Sequence, residues 1–378
     1  MKIKSYYPNY FFDTGIAGAA YHFIKGMQSP ENDISLMGIA SEKSFQDAFY
    51  SDAIPRWAKK LAYKILPEKV LLNIAESLFI HSLKDSDFAY LWPGVKLDTY
   101  RKLKNKGYKI IHECVNTHEA NSKLILDEAY AKLNLPATHG IDAQTIAVEL
   151  EKLALSDYIY TCSPIMSDLL LKIGVPKQKI LQSSYGLGTS AIVDGRYSCN
   201  QDSQEKLTFL FVGSISVRKG AHLLLDYWAK ANLNANLKLV GTIEPALKTL
   251  VAQYVGEHNI THVSYTLDLA SIYKEADVFI LPSLEEGSPL VTYMAMGAGM
   301  PMLLTPMSAG GVVTNDIEGL IIEPYDVENW INSMRKIAED AQLRERFAAA
   351  SKLKAPNYLW DIVAKQRLDS LIKAINQQ

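Results

Sequence analysis

The stretch Asp277 to Thr305, DVFILPSLEEGSPLVTYMAMGAGMPMLLT, constrains the fold of this chain more than any other. Val278 to Leu281 is a short run of bulky apolar residues, the pattern of a strand buried on both faces. A polar turn through Glu285, Glu286, Gly287 and Ser288 ends at Pro289, a residue suited to the first helical position. The helix expected from Leu290 to Ala298 is rich in small residues and is stopped by Gly299 and Pro301. Met302 to Thr305 supplies the next buried strand. An acidic loop therefore sits at the carboxyl end of a parallel strand, just ahead of a helix start. In open α/β sheets ligands bind at that place, and a helix N-terminus favours anionic groups.

The 378 residues exceed what one core usually serves, so two domains are expected. An apolar content of 48% and a charged content of 21% describe an ordinary globular protein. The net charge of −2 gives no basic footprint for nucleic acid. Cys114, Cys162 and Cys199 are widely spaced and form no C-x-x-C pair, which fits a reducing compartment. The start, MKIKSYYPNYFFDTG, lacks the apolar core of a signal peptide, and no apolar run is long enough to span a bilayer. The expectation is a cytoplasmic protein, at most peripheral at the inner face of a membrane.

The first half alternates strands with helices. Lys2 to Tyr7 reads as a strand, followed by a loop with Gly15 and Gly18 and a helix from Ala19 to Met27. Such a loop serves either as an approach for phosphate or as a tight turn. Asp33 to Gly38 is a second strand, and residues 42–84 are less periodic. Within them Arg56 to Lys69, RWAKKLAYKILPEK, is basic and aromatic. It reads either as a face for an anionic membrane surface or as a solvated helix face. Asp85 and Asp87 form a D-x-D ahead of the strand Phe88 to Trp92, a spacing that either holds a divalent ion or marks a turn. Tyr108 to Val115 is a further buried strand with Asn116, Thr117, His118 and Glu119 at its carboxyl end. His112, inside the strand, is read as packed, and His118 as exposed in a crevice. Asp157 to Ser163 is a strand leading to Ser163 as N-cap, Pro164 in the first turn and a helix to Gly174. Lys179 to Ser184 is a last short strand, and Asp194 to Lys206 reads as a linker.

The second half repeats the alternation. Leu207 to Val212 is a strand ending in Gly213-Ser-Ile-Ser-Val-Arg-Lys-Gly220, with a helix from Ala221 to Ala231. A glycine-bounded loop carrying Arg218 and Lys219 directly before a helix suits a diphosphate, because the amides and the two side chains all present positive charge. It is not a Walker A loop, since the Gly-Lys-Ser/Thr order is absent. Strands at Leu237 to Val240 and Ile260 to Tyr265 alternate with helices at Pro245 to Glu257 and Leu269 to Glu275. The opening element, Glu318 to Pro324 and helices from Val327 onward complete a second doubly wound parallel sheet. The amphipathic segment Tyr358 to Ile375 follows the breaker Pro356 and is expected to pack back on the first domain.

These motifs resemble glycosyltransferase family 4, the retaining group of GT-B nucleotide-sugar transferases. The resemblance rests on Pro282-Ser283, Glu286-Gly287, Ala295-Met296, Gly299 and Pro301, and on Val212-Gly213 with Lys219-Gly220. It extends to Ser163, Gly174-Val175-Pro176, Lys179-Ile180 and Tyr185-Gly186, and covers about residues 160–325. The first 150 residues share the layout and the N-x-H of Asn116 to His118. The fold implied is α/β, GT-B, with two Rossmann-like doubly wound domains facing across a cleft. Residues 1–190 would be the acceptor-binding domain and 205–355 the nucleotide-sugar-binding domain, with the helix at 357–378 packed on the first.

Carried residue by residue, the resemblance implies catalytic roles for His118, Lys219 and Glu286. Lys219 with Arg218 would neutralise the leaving diphosphate, and Glu286 would bind donor-sugar hydroxyls. The amides near Leu290 and Val291 would receive phosphate oxygens. Gly18, Gly213, Ser288 and Met294 complete the donor set, while Asn116 and His118 would face the acceptor. The partners implied are a nucleotide-sugar donor and a glycan or lipid-linked acceptor, with no cofactor and no metal.

Two residues depart from the pattern. The second Glu of E-x7-E falls at position 294, where this chain has Met294, and a thioether is a far poorer hydrogen-bond acceptor than a carboxylate. The arginine often found after the first glycine of the phosphate loop is Ser214, with Arg218 as the substitute. Competing expectations are an epimerase or hydrolase of nucleotide sugars on the same scaffold, and a non-catalytic binding protein. A nicotinamide-dependent dehydrogenase lacks its G-x-G-x-x-G here, and a single-domain metal-dependent transferase would need Asp85 and Asp87.

Overall fold

A computed structural model describes residues 1–12, 14–41, 45, 47–84, 88–192, 206–264, 266 and 268–377. The chain divides into two compact units. The first gathers Met1–Glu119, Asp142–Tyr185 and Trp360–Gln378, and the second Ala120–Ile141 and Gly186–Leu359. The division thus differs from two consecutive blocks at 120–141, where first-half sequence groups with the second unit. Asp85, Asp87 and nearly all of the expected linker lie outside the described residues.

The first unit begins with β1 (Lys2–Tyr7), α1 (Gly15–Gly26), β2 (Asp33–Gly38) and β3 (Tyr50–Asp52). Then come α2 (Arg56–Ile65), α3 (Glu68–Ser82), β4 (Phe88–Leu91), α4 (Leu97–Asn105) and β5 (Lys109–Glu113). α5 (Glu119–Lys132) starts at the boundary and runs into the second unit; α6 (Ala143–Leu155), β6 (Tyr158–Thr161), α7 (Pro164–Lys172) and β7 (Ile180–Gln182) return to the first. Its seven strands are all parallel, in the order β3-β2-β1-β4-β5-β6-β7. All residues of β4 and β6 are buried, as strands covered by helices on both faces must be.

Several local expectations shift. α1 begins at Gly15, so Gly18 lies in its first turn, donating its N–H to Thr14 O at 3.1 Å, rather than in a loop before it. Residues 42–84, less periodic in sequence, contain β3 and two helices; α3 buries only Leu71, Ala75, Glu76 and Phe79, and α2 buries nothing. At α7 the Ser163 side chain accepts the Met166 N–H and Pro164 fills the first turn.

The second unit contains β8 (Thr208–Val212), α8 (Ala221–Ala231), β9 (Asn236–Val240), α9 (Lys248–Tyr254), β10 (Ile260–Val263) and α10 (Leu269–Lys274). β11 (Val278–Leu281), α11 (Leu290–Gly297), β12 (Met302–Leu304), α12 (Pro306–Ala309) and β13 (Gly319–Ile321) follow. α13 (Val327–Glu339) and α14 (Ala341–Lys354) close it, and α15 (Trp360–Asn376) belongs to the first unit. The helix expected from Pro245 to Glu257 is a 3-10 turn at Pro245–Leu247 followed by α9. The six strands are parallel in the order β10-β9-β8-β11-β12-β13.

In both sheets the order reverses direction beside the first strand, between β1 and β4 and between β8 and β11. Ligand crevices form outside the carboxyl ends of strands at such switch points.

The first unit is pinned by a buried ion pair between Arg367 of α15 and Glu113 at the end of β5. Arg367 Nη2 also donates to Tyr90 Oη at 2.8 Å, and its guanidinium lies 4.0 Å from the Phe23 ring centre and 4.1 Å from that of Tyr160. A charge with no exposed surface is tolerated only with such partners.

Candidate active site

The switch point of the second unit joins two loops. The loop after β8 runs from Gly213 to Gly220, and the loop after β11 from Pro282 to Pro289. Gly220 has φ +65°, and a Cβ there would stand 2.0 Å from the Pro282 carbonyl oxygen. Only glycine allows both that backbone shape and that approach. Leu284 N–H donates to Arg218 O at 2.8 Å, a second tie between the loops.

Charged side chains converge across this seam. Lys219 Nζ and Glu286 Oε1 form an ion pair, with both residues buried. Arg218 Nη1 lies 3.4 Å from Glu285 Oε2 and 3.5 Å from Glu286 Oε2, and its side chain keeps a third of its surface exposed. Burial pushes the Glu286 carboxyl up, but the Lys219 and Arg218 charges outweigh it and hold it below the usual carboxylate range. Burial depresses the Lys219 ammonium, with Glu286 opposing that effect. Glu285 is held by Ser122 Oγ, which donates to it at 3.1 Å. Two cations thus face two carboxylates, and Arg218 alone shows an open edge.

The remaining donor-set residues surround this seam. Gly213 has φ +141°, and its carbonyl oxygen would meet a Cβ on Gly241 at 1.9 Å, so both positions need glycine. Ser288 is buried, with its Oγ 2.8 Å from Tyr293 Oη. Pro289 is the N-cap of α11, one residue before the first helical position, since its ψ of 126° is still extended. Leu290, Val291 and Met294 are the three half-buried residues of α11. Met294 lies one turn beyond Leu290 and shares its face.

Sequence reading missed the residues that brace the loop after β8. Glu244 accepts the Val217 N–H at 2.8 Å and pairs with Tyr130 Oη, and Ser216 Oγ accepts the Lys219 N–H at 3.3 Å. Glu244 also sits beyond the carboxyl end of a strand, β9, and that position was the available signal.

In the first unit the candidate residues lie on the segment between β5 and α5. His112 is packed as expected, its Nδ1 2.6 Å from Tyr100 Oη, and burial lowers it to about 3. Asn116 is exposed, but His118 is only 8% exposed, contrary to the crevice position expected for it. The reason is local. α5 starts at the next residue, and Glu119 N–H donates to Glu149 Oε2 of α6 at 2.6 Å, drawing the segment inward. Burial lowers the His118 imidazole, which keeps it neutral at pH 7. A cavity of ≈ 430 Å³ opens here, lined among others by Gly94, Asn116, Thr117, Glu119, Glu149 and Lys152. Among the described residues no group of three His, Cys, Asp or Glu side chains is placed to hold a metal, and no helix is long and apolar enough to cross a membrane.

Two parallel-sheet Rossmann-like units with this seam define the GT-B class of fold. Sucrose-phosphate synthase from Thermosynechococcus elongatus superposes with a TM-score of 0.71 at 16% identity, over 100% of both chains. Residues 200–354 match the model of the family "Glycosyl transferases group 1". An uncharacterized glycosyltransferase of Haemophilus influenzae is 29% identical over 161 residues, 41% of this chain and 46% of that protein. The UDP-Gal:alpha-D-GlcNAc-diphosphoundecaprenol alpha-1,3-galactosyltransferase of Escherichia coli is 35% identical over 77 residues, 20% of each. The chain spans about half the length, or less, of the curated relatives it matches.

Proposed function

We propose that this protein is a retaining, metal-independent glycosyltransferase that moves a sugar from a nucleoside-diphosphate donor to a glycan, lipid-linked or small-molecule acceptor. The observation that carries the reading is the seam where Lys219 and Arg218 meet Glu286 in the loop ahead of α11. A departing diphosphate gains negative charge as the glycosidic bond breaks, and cations already fixed in a buried site stabilise that charge without reorganisation. A bound diphosphate would draw the Lys219 ammonium away from Glu286 and free that carboxylate for sugar hydroxyls. The amides of Leu290 and Val291, in the first turn of α11, suit phosphate oxygens. His118, neutral through burial, would serve as a hydrogen-bond partner rather than as a cation. Support also comes from the group 1 domain and from a relative whose name specifies a UDP-sugar and a diphosphoundecaprenol acceptor. A lipid-linked acceptor would bring the protein to a membrane surface.

The test is a thermal-shift screen of nucleoside diphosphates and their sugars, followed by transfer assays with the best donor. Transfer that survives a chelator and gives a product with the donor's anomeric configuration supports the whole reading. Donor consumption without any acceptor would instead indicate a hydrolase, and failure of every nucleotide to raise the melting temperature would indicate a protein that does not use such donors.

A further inference from the structure

The two helices α2 and α3 expose apolar side chains in a regular pattern. On α2, Trp57, Leu61 and Ile65 stand four residues apart and are 86%, 59% and 65% exposed. That spacing places them along one face. Lys60 and Lys64 fall within the same stripe, Arg56 adjoins it, and all three are exposed. On α3, Val70, Ile74 and Leu78 repeat the spacing at 38–43% exposure, beside an exposed Lys69.

This display is built rather than loose. The adjoining side of α3, about 100° round the helix, enters the core through Leu71, Ala75 and Phe79, and Ala62 of α2 packs against the same cluster. Lys59 reaches inward instead, donating to Tyr10 Oη at 2.6 Å and to Ser41 O at 2.9 Å. The apolar stripe of α2 is thereby fixed facing outward. Single exposed apolar residues need no explanation, but two stripes of three, with lysines interleaved on α2, mark a surface that meets something.

We infer that α2 and α3 form a docking surface for an anionic lipid bilayer. Trp57, Leu61 and Ile65 would enter the boundary between headgroups and acyl chains, and Arg56, Lys60 and Lys64 would lie on lipid phosphates. Between Arg56 and Lys69 there are five basic residues and one acidic residue, Glu68, so the complementary partner is anionic. Self-association through this face would be isologous and would bring Lys60 and Lys64 near their own copies, which like-charge repulsion opposes. The inference rests on the proposed lipid-linked acceptor for its purpose, and its test is independent of catalysis.

The full chain is mixed with vesicles of phosphatidylcholine alone or of equimolar phosphatidylcholine and phosphatidylglycerol, and co-sedimentation is measured. Of the five tryptophans, Trp92, Trp228 and Trp330 are fully buried and Trp360 is half-buried, so Trp57, 86% exposed, is the main fluorescence reporter of contact, and Trp57→Phe separates its signal from that of Trp360. Binding to the anionic vesicles with a shift of emission to shorter wavelength, lost in Trp57→Phe, is the expected result. Both Lys60→Glu/Lys64→Glu and Leu61→Ser/Ile65→Ser should weaken partitioning by about tenfold or more while leaving the melting temperature unchanged. Equal binding by these variants, equal binding to neutral vesicles, or no binding overturns the inference. So does a dimer in solution that dissociates in the Leu61→Ser/Ile65→Ser variant. The melting temperature with nucleoside diphosphates and their sugars is measured in parallel. Failure of every one to raise it in the unmodified protein would sink the proposed function and leave the vesicle result standing.

Discussion

The buried ion pair between Lys219 and Glu286 joins the loop after β8 to the loop after β11. The two residues are 67 positions apart in sequence and meet because parallel pairing of β8 with β11 places both strand ends side by side. Everything proposed for donor binding follows from that meeting.

Lys219→Ala should lower transfer turnover roughly 10²–10³-fold, the scale of one lost transition-state charge contact. It also leaves Glu286 buried beside Arg218 only, so the melting temperature should fall as well. Steady-state kinetics at saturating donor separate the two effects, and near-normal turnover would remove Lys219 from the chemistry.

Met294→Glu should tighten binding of a nucleoside diphosphate roughly tenfold, the worth of a hydrogen bond to a charged acceptor. Met294 is half-buried and shares a helix face with Leu290, so a carboxylate there would not be entombed. Calorimetric titration checks this; an unchanged affinity would mean that the ribose is held elsewhere.

Gly220→Ala should cost about 2–3 kcal/mol in stability, because it strains a positive φ and drives a Cβ into the Pro282 carbonyl. Since that approach also positions Lys219, donor affinity should drop in the same variant. Chemical denaturation together with a nucleotide titration would detect both.

Glu149 gives a pH prediction. Burial raises its carboxyl from the ordinary 4.5 to about 7, against the lowering effect of the Glu119 N–H. A raised folded pKa contributes stability below the unfolded value and loses it as pH rises through the folded one. The protein should therefore lose stability between about pH 4.5 and pH 7 from this group. Glu149→Gln should be neutral at pH 4.5 and stabilising at pH 8 by on the order of 1 kcal/mol, a figure reduced for its partial exposure. Melting curves at the two pH values would show whether the difference vanishes in the variant.

Much of the fold was legible in the chain itself. β1, β2, β11 and α8 run where their apolar patterns placed them, because buried parallel strands need continuous apolar runs and helices need caps. The two loops that meet in the second unit were legible through Gly213, Lys219, Gly220 and Glu286, because backbone shape and charge are properties of each residue and its near neighbours. α2 and α3 were less legible, since α3 turns only a narrow face to the core and α2 packs on it through the half-buried Ala62 without burying any residue fully.

The sequence by itself determined two sheets of alternating strands and helices, and the loops that carry charge. Only the tertiary structure decided which charges meet. Pairing of Lys219 with Glu286, bracing of the loop after β8 by Glu244 and inward burial of His118 all depend on strand order and on contacts between distant segments. Local patterns encode burial and backbone preference over a few residues. Strand order is set by the packing of the whole sheet, so no short window contains it.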